Sequence, residues 1–313
     1  MLRQCFTVFL ANVLLGIMST AIAQQKTIHG DDDRVETYQV NAATQRAAEA
    51  VVAFIHRSAL HYQANTKSYR LVDNTRLIDQ RWCHQERFAQ QPAIAFCSGV
   101  LISDRLVATA AHCVTDNGIE KPSLLDKYAV VFGYQMVNAN QAPQQFSEKN
   151  VYFIEGIDQL YSDPEKRHDA AVVRLRRSVV DHQPIQLALR VQMPINTPLT
   201  LIGYPLGLPQ KVAAGGLILE RKAVGAYVTN VDAFRGNSGS PVFVTDSLTT
   251  DYPVVVGLLS EGSQDYTIKT TASGQCRASH HCQSIDPDSL SCKGEILTPI
   301  DQISSYVNKN REP

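Results

Sequence analysis

Three short stretches of the 313-residue chain carry residue types that perform nucleophilic catalysis. His112 follows a strand-like run, Asp169 stands at the start of an apolar run, and Ser238 lies between Gly236 and Gly239. A serine hydroxyl is a weak nucleophile at neutral pH and needs a neighbouring base. Histidine suits that role because its pKa lies near neutral pH, and a carboxylate fixes its tautomer. Together the three stretches predict a Ser-His-Asp site for acyl transfer.

The acid and the base have simpler interpretations that must be weighed. A histidine beside a cysteine is also typical of a satisfied core position, so His112 gains its catalytic interpretation from the other two stretches. Asp158 and Asp163 compete with Asp169, but they lie in a polar stretch and are typical of solvated charges. Asp169 enters an apolar run, which favours a buried orienting carboxylate.

The serine also has a competitor within its own turn. Ser240 is consistent with an ordinary turn serine, whereas only Ser238 has glycine two residues before it and one residue after it. Glycine lets the backbone turn so that N–H groups converge on a developing oxyanion. The pattern therefore predicts an oxyanion hole formed by the backbone N–H groups of Gly236 and Ser238.

The elements that must position these residues are short strands. Apolar runs of strand length, separated by Pro, Gly and polar clusters, lie at Phe96–Ile102, Leu106–Ala110, Tyr128–Phe132, Ala170–Leu175, Leu199–Ile202, Leu217–Leu219, Pro241–Val244 and Val254–Leu259. Many short strands without intervening helices predict an all-β sandwich or barrel. Ile300, Ile303 and Val307 share one helical face, which predicts a closing C-terminal helix.

The order of the three catalytic candidates carries a resemblance to a known family. In α/β-hydrolases the serine comes first, within Gly-x-Ser-x-Gly, and Ser240 stands here in place of the second glycine. The order His112, Asp169, Ser238 resembles that of the chymotrypsin-like (trypsin-fold) serine endopeptidases, over roughly residues 92–310. The motif Gly-Asn-Ser-Gly-Ser-Pro resembles that of the exported bacterial branch of this family.

This resemblance implies two six-stranded antiparallel β-barrels, at about 92–185 and 199–300, with the active site between them. It implies His112 as general base, Asp169 as its orienting partner and Ser238 as nucleophile. It also implies a disulfide between Cys97 and Cys113. The implied activity is that of a serine endopeptidase that hydrolyses peptide bonds through an acyl-enzyme and requires no metal or organic cofactor.

The resemblance extends to the substrate pocket. Asp232 lies six residues before the nucleophile, where trypsin-like members carry the acid that binds Lys or Arg; the alternative is that Asp232 orders the turn. Ser260 and Gly262 match the strand that runs beside the bound peptide. Leu259 and Ala233 depart from the residues that glutamyl endopeptidases use, which argues against specificity for Glu.

The N-terminus is typical of an exported protein. Residues 1–23 have a basic start, an apolar run and the small-x-small ending Ala21-Ile22-Ala23, which predicts a cleaved signal peptide. A retained membrane anchor is the alternative, but the run is short for a bilayer span. We expect residues 24–80 to form an N-terminal extension or propeptide, with helical spacing from Thr44 to Leu60, and residues 81–313 to form the protease domain.

The cysteines support the same compartment. The chain has seven cysteines, and loss of Cys5 with the signal peptide leaves an even number, which predicts disulfides in an exported protein. Cys276, Cys282 and Cys292 enclose two histidines, so a zinc site is an alternative, but their spacing matches no standard zinc pattern. The pairing of these three cysteines with Cys83 is open among three connectivities.

Composition limits the partners. The formal net charge is −1, which excludes binding to nucleic acid through bulk charge, and no later stretch is apolar enough to span a membrane. The predicted partners are protein or peptide substrates, in a secreted or periplasmic location; the oligomeric state is open.

The alternative function is a non-catalytic binding protein on the same scaffold, since a fold does not guarantee an activity. An esterase is a further alternative within enzymes.

Overall fold

A computed structural model describes residues 27–116, 119–120, 125–185, 187, 192–286, 288–289 and 291–309. The predicted signal peptide and Cys5 lie outside the described residues. Runs rich in Val, Ile and aromatic residues form strands, since such side chains pack well on a pleated surface. In chain order the first elements are β1 (Ile28–His29), β2 (Val35–Glu36), α1 (Ala42–Ala48), β3 (Val51–His56), β4 (Leu60–Gln63), β5 (Ser68–Leu71), β6 (Ala95–Leu101), β7 (Leu106–Thr109), β8 (Thr115–Asp116), β9 (Ile119–Glu120), β10 (Tyr128–Val131), β11 (Gln145–Ser147), β12 (Val151–Asp163) and β13 (His168–Leu175).

The second half continues the same pattern and ends in a helix. Its elements are β14 (Pro198–Gly203), β15 (Lys211–Arg221), β16 (Tyr227–Thr229), β17 (Pro241–Val244), β18 (Val255–Glu261), β19 (Tyr266–Thr271), β20 (Gly274–Ser279), β21 (His281–Cys282), β22 (Glu295–Pro299) and α2 (Asp301–Lys309). The closing helix is confirmed, and Ile300, Ile303 and Val307 are buried beneath it.

Two closed six-stranded antiparallel barrels organise these strands, as the resemblance implied. The first barrel has the order β10-β12-β13-β7-β6-β3, and β3 closes it by pairing with both β6 and β10. The second has the order β14-β17-β18-β22-β16-β15 and closes through the β14–β15 pairing. A closed barrel leaves no unpaired edge, and β2 adds a short seventh strand alongside β15.

The start of the first barrel differs from the prediction. The expected boundary near residue 92 is wrong, because β3 belongs to the closed barrel. The helical spacing between Thr44 and Leu60 holds only for α1, whose N-terminus is capped by the Asn41 side chain; the chain then enters β3. Val51 and Phe54 are fully buried barrel residues. Removal of all of residues 24–80 as a propeptide would therefore take a strand out of the barrel.

Three disulfides cross-link the chain and settle the open connectivity. Cys97 pairs with Cys113 as the resemblance implied, Cys83 pairs with Cys276, and Cys282 pairs with Cys292. The sulfurs of Cys276, Cys282 and Cys292 are therefore covalently bonded, which disfavours the zinc alternative. None of the helices in the described part of the chain is both long and apolar enough to cross a bilayer.

Candidate active site

Strand register brings His112 to Asp169. Thr109 pairs with Ala171 in the antiparallel β7–β13 ladder, so the residues that follow β7 run alongside the start of β13. His112 lies there in a single helical turn, Ala111–Cys113. The Nδ1 atom of His112 lies 2.6 Å from Oδ2 of Asp169, and the His112 backbone N–H donates to Oδ1 at 3.0 Å. An ionised carboxylate only accepts, so Nδ1 carries the hydrogen and Nε2 presents its lone pair.

A residue of the second barrel also contacts Asp169. The Asp169 backbone N–H donates to the Thr298 hydroxyl, on β22, at 3.2 Å. The His112 side chain is 32% exposed and that of Asp169 is 14% exposed, so the imidazole is accessible while its carboxylate partner is sheltered. Sequence reasoning missed Thr298, whose role depends on contact between distant strands.

The competing acids are engaged elsewhere. Asp158 forms a short ion pair with Arg174 and accepts a hydrogen bond from the Tyr306 hydroxyl. Asp163 forms an ion pair with Lys166 at 3.0 Å. Among the three acids weighed from the sequence, Asp169 is therefore the one that the fold joins to His112.

The turn around Ser238 requires its two glycines. Gly236 has φ +92° and Gly239 has φ +81°, in the region that L side chains rarely adopt. A Cβ on Gly236 would overlap the carbonyl oxygen of Tyr204, and one on Gly239 would overlap the carbonyl oxygen of Ser98. Both positions therefore demand glycine because of backbone conformation and lack of space.

Ser98, on β6, fixes this turn against the first barrel. Its backbone N–H donates to the Ser238 carbonyl at 2.8 Å, and its hydroxyl donates to the Gly236 carbonyl at 2.7 Å. Sequence reasoning missed Ser98, because its partners lie about 140 residues away along the chain. These bonds explain how residues from different barrels keep a fixed relative position.

The Cys97–Cys113 disulfide lies where these residues meet. The Cys113 sulfur is 3.9 Å from His112 Nε2 and 3.6 Å from the Ser238 carbonyl oxygen. The imidazole and the serine turn thus both contact one sulfur atom at the junction of the barrels. His112, Asp169 and Ser238, which the sequence singled out, are brought to one place.

Peptide orientation around Ser238 determines where its amides point. Leu206 N–H donates to the Arg235 carbonyl at 2.6 Å, and Ser240 N–H donates to the Asn237 carbonyl at 2.8 Å. In a trans peptide the N–H points opposite to the C=O. The N–H of Gly236 therefore points away from Leu206, and that of Ser238 points away from the amide of Ser240. Both amides are oriented by hydrogen bonds to the carbonyl of their own peptide group.

Asp232 occupies a different environment from the predicted pocket acid. It is 3% exposed, and its two oxygens accept the backbone N–H groups of His29 at 2.7 Å and Asp33 at 3.0 Å. Burial raises the pKa of Asp232 to about 8. A carboxyl group that is buried, favoured in its neutral form and bonded to two amides is poorly suited to bind a cationic side chain. The geometry matches the alternative, in which Asp232 orders the chain around it.

The segment that Asp232 holds packs into the second barrel. Ile28 and Thr27 are fully buried, and the Thr27 backbone N–H donates to the buried carboxylate of Glu295 at 3.1 Å. His29 lies 3.5 Å from the same carboxylate, and burial lowers the pKa of His29 to about 4. Nothing in residues 24–40, which are polar and acidic, indicates this packing.

The remaining pocket candidates lie at the end of β18. Ser260 is buried, and its hydroxyl donates to the Ile296 carbonyl at 3.1 Å. Gly262 follows Glu261, the last residue of β18, whose carboxylate lies 3.6 Å from Arg167. This strand end lies near Asp169 for two reasons. β18 pairs with β22, and Glu261 contacts Arg167, which precedes the His168–Asp169 start of β13.

Comparisons with known proteins give a family match and similar solved structures. A family model described as Trypsin matches residues 73–275, which is 203 of the 313 residues. No curated protein sequence matches the chain. A similar solved structure is the crystal structure of the serine endoprotease from Yersinia pestis, with 16% identity and a TM-score of 0.46. That match covers 88% of this chain and 66% of the other, so about a third of the Yersinia pestis chain has no counterpart here.

Proposed function

Because the chain belongs to the trypsin family of serine proteases, we propose that it is a serine endopeptidase acting through His112, Asp169 and Ser238. The observation that carries this proposal is the 2.6 Å bond between His112 Nδ1 and Asp169 Oδ2, next to the glycine-flanked turn of Ser238. The His112–Asp169 bond leaves Nε2 as the base, and the disulfide sulfur that contacts Nε2 also contacts Ser238.

The first half of the reaction forms an acyl-enzyme. Ser238 Oγ attacks the carbonyl carbon of the peptide while His112 Nε2 takes the hydroxyl proton. Asp169 stabilises the resulting imidazolium. The amides of Gly236 and Ser238 donate to the tetrahedral oxyanion, where preorganised donors are worth about 3 kcal/mol each. His112 then gives its proton to the departing amine as the C–N bond breaks.

The second half releases the acid. A water molecule attacks the ester carbon of the acyl-enzyme and passes one proton to His112. The second tetrahedral intermediate collapses, and Ser238 recovers its proton from the imidazolium. Every proton moves through His112 Nε2, so the proposed chemistry uses the chain's own residues.

The acyl side of the substrate is proposed to lie along Ser260–Gly262. A preference for Lys or Arg does not form part of the proposal, because both oxygens of Asp232 are bonded to backbone amides.

We also propose that the protein is exported, as the predicted signal peptide indicates. Three disulfides support an oxidising compartment.

Cleavage of a mixed peptide library by the oxidised protein tests the proposal. We expect internal peptide bonds to be cut by the wild-type chain and by Ser240→Ala, a matched control in the same turn, and not by Ser238→Ala. Equal cleavage by Ser238→Ala would contradict the assignment of the nucleophile. Peptide binding without cleavage by the wild-type chain would instead support the binding-protein alternative.

A further inference from the structure

A pocket of about 220 Å³ borders the oxyanion residue Gly236. Its walls come from Phe96 on β6, from the Leu206–Gly207 turn and from Gln80. We call it the Arg235 pocket, after the charged residue that lines it. Because Gly236 would bind the oxygen of the scissile carbonyl, a pocket that touches Gly236 lies within one or a few residues of the bond that is cut.

The Arg235 pocket lies on the leaving-group side of that bond. The proposed acyl side follows the end of β18, at Ser260–Gly262, and no β18 residue lines this pocket. Its walls include Ala95 and Phe96 of β6, two to three residues before Ser98, which binds the Ser238 carbonyl. The β6–β7 ladder begins only at Gly99, so it does not extend to these two residues. A peptide that continues past the scissile bond therefore runs toward this wall.

The charge that lines the pocket is positive. Among the described residues that line it, Arg235 is the only charged one. The main chain of Arg235 is fixed, since its N–H donates to Asp265 at 2.9 Å and its carbonyl accepts from Leu206 at 2.6 Å. Its guanidinium donates to the side-chain oxygen of Gln80 at 3.3 Å.

Gln80 and the apolar wall direct that guanidinium. The Gln80 side-chain nitrogen donates to the Ala93 carbonyl at 2.9 Å, so the amide that receives Arg235 is itself anchored. Phe96 and Leu206 form apolar walls beside the guanidinium. A guanidinium presents a planar set of donors that matches a carboxylate with two hydrogen bonds.

We propose that the Arg235 pocket is a specificity site for an acidic side chain, Glu or Asp, within the first three residues after the scissile bond. This inference rests on the proposed function, because it assigns one half of the substrate of that same site. The carboxylate would bind the Arg235 guanidinium, while its aliphatic stem would contact Phe96 and Leu206.

Paired peptides test the Arg235 pocket directly. Each pair keeps the best-cleaved acyl-side sequence and places Glu or Gln at the first, second or third position after the cut. For the wild-type chain we expect at most about fivefold higher kcat/KM for Glu at one of these positions, because the contact is charge-assisted but Arg235 is exposed. Raised salt should reduce that preference, because the pocket is open to solvent.

Two variants separate the pocket from general charge effects. Arg235→Gln should lose the preference for Glu, so that its kcat/KM is the same for the Glu and the Gln peptide of each pair. Arg277→Gln is the matched control, because Arg277 donates to the Gln80 carbonyl at 3.4 Å from outside the pocket. Arg277→Gln should keep the preference.

The possible failures are distinguishable. Equal kcat/KM for Glu and Gln at all three positions would overturn the Arg235 pocket and leave the proposed function standing, since cleavage itself is observed. If no peptide is cleaved, the proposed function fails, and calorimetry on Ser238→Ala then decides the pocket. Tighter binding of the Glu peptide that is lost with Arg235→Gln supports the site, and equal affinities overturn it.

Discussion

His112 is bound twice by Asp169, once through its ring and once through its backbone N–H. This double contact fixes both the tautomer of the imidazole and the position of the helical turn that carries it. An exposed ion pair would allow several geometries, whereas a sheltered carboxylate with two bonds to one residue allows few. The orientation of the His112 imidazole is thus set by the Asp169 side chain.

Asp169→Asn is expected to lower kcat for peptide hydrolysis by about 10⁴-fold, because the amide permits the wrong imidazole tautomer. Steady-state kinetics on a peptide found in the library screen measures the loss. Asp163→Asn is the control, since the Asp163 carboxylate pairs with Lys166 and not with His112, and it should keep kcat within about twofold. A loss of less than tenfold in Asp169→Asn would show that His112 is oriented by other groups.

Local motifs explain what the sequence predicted and what it did not. His112, Asp169 and Ser238 stand in contiguous stretches whose residue types already indicate their chemistry. Ser98 and Asp232 act through partners 138 and 203 residues away, and such pairings depend on how two barrels pack. The family resemblance singled out Asp232, but burial and the approach of the N-terminal segment determine what that carboxyl group binds.

β3 shows the same limit for elements of secondary structure. Its residues follow α1 after a short turn, so apolar spacing that suits a helix continues into a strand. The strand forms because it closes the barrel by pairing with β6 and β10. A longer helix at these residues would leave the facing edges of β6 and β10 unpaired. Elements that depend on long-range pairing are the ones that local periodicity identifies least well.

Phe54→Ala on β3 is expected to lower the free energy of unfolding by about 3–5 kcal/mol, because it creates a cavity at a fully buried site. Chemical denaturation of the oxidised protein measures this change. Tyr62→Ala on β4 is the control, since Tyr62 is 44% exposed and its loss should cost about 1 kcal/mol or less. A cost below 1 kcal/mol for Phe54→Ala would argue that β3 is a dispensable extension.

The Cys97–Cys113 disulfide joins β6 to the turn that carries His112. Replacement of both cysteines by Ala is expected to lower the free energy of unfolding by about 3 kcal/mol, as for a closed loop of about 15 residues. It should also lower kcat, because the sulfur that contacts His112 and Ser238 is removed. Unchanged stability and kcat would show that the hydrogen bonds of Ser98 and Asp169 suffice to hold the site.

Across the whole molecule, the N-terminal segment joins parts that are distant in sequence. β1 pairs with β21, β2 pairs with β15, and Arg87 donates to the carbonyls of Asp32 and Arg34. Asp232 and Glu295 bind this segment from inside the second barrel. The segment is therefore part of the folded body.

Stability is expected to fall as the pH rises from 6.5 to 8. The folded protein holds the Asp232 proton up to about pH 8, whereas the unfolded chain loses it near pH 4, so stability is lost across that range. His29 has the opposite slope, because its folded pKa is about 4, but it acts only below its ordinary pKa of 6.5. Thermal unfolding of wild type and Asp232→Asn should show a fall of about 1–2 kcal/mol in wild type alone. Equal slopes in both proteins would mean that Asp232 titrates normally.

The measurement that tests the central claim most directly is covalent labelling with a fluorophosphonate, followed by peptide mapping and a hydrolysis assay. The account predicts one label per chain, on Ser238, with complete loss of peptide hydrolysis and no labelling of His112→Ala. Labelling at another residue, or hydrolysis that survives full labelling of Ser238, would contradict it.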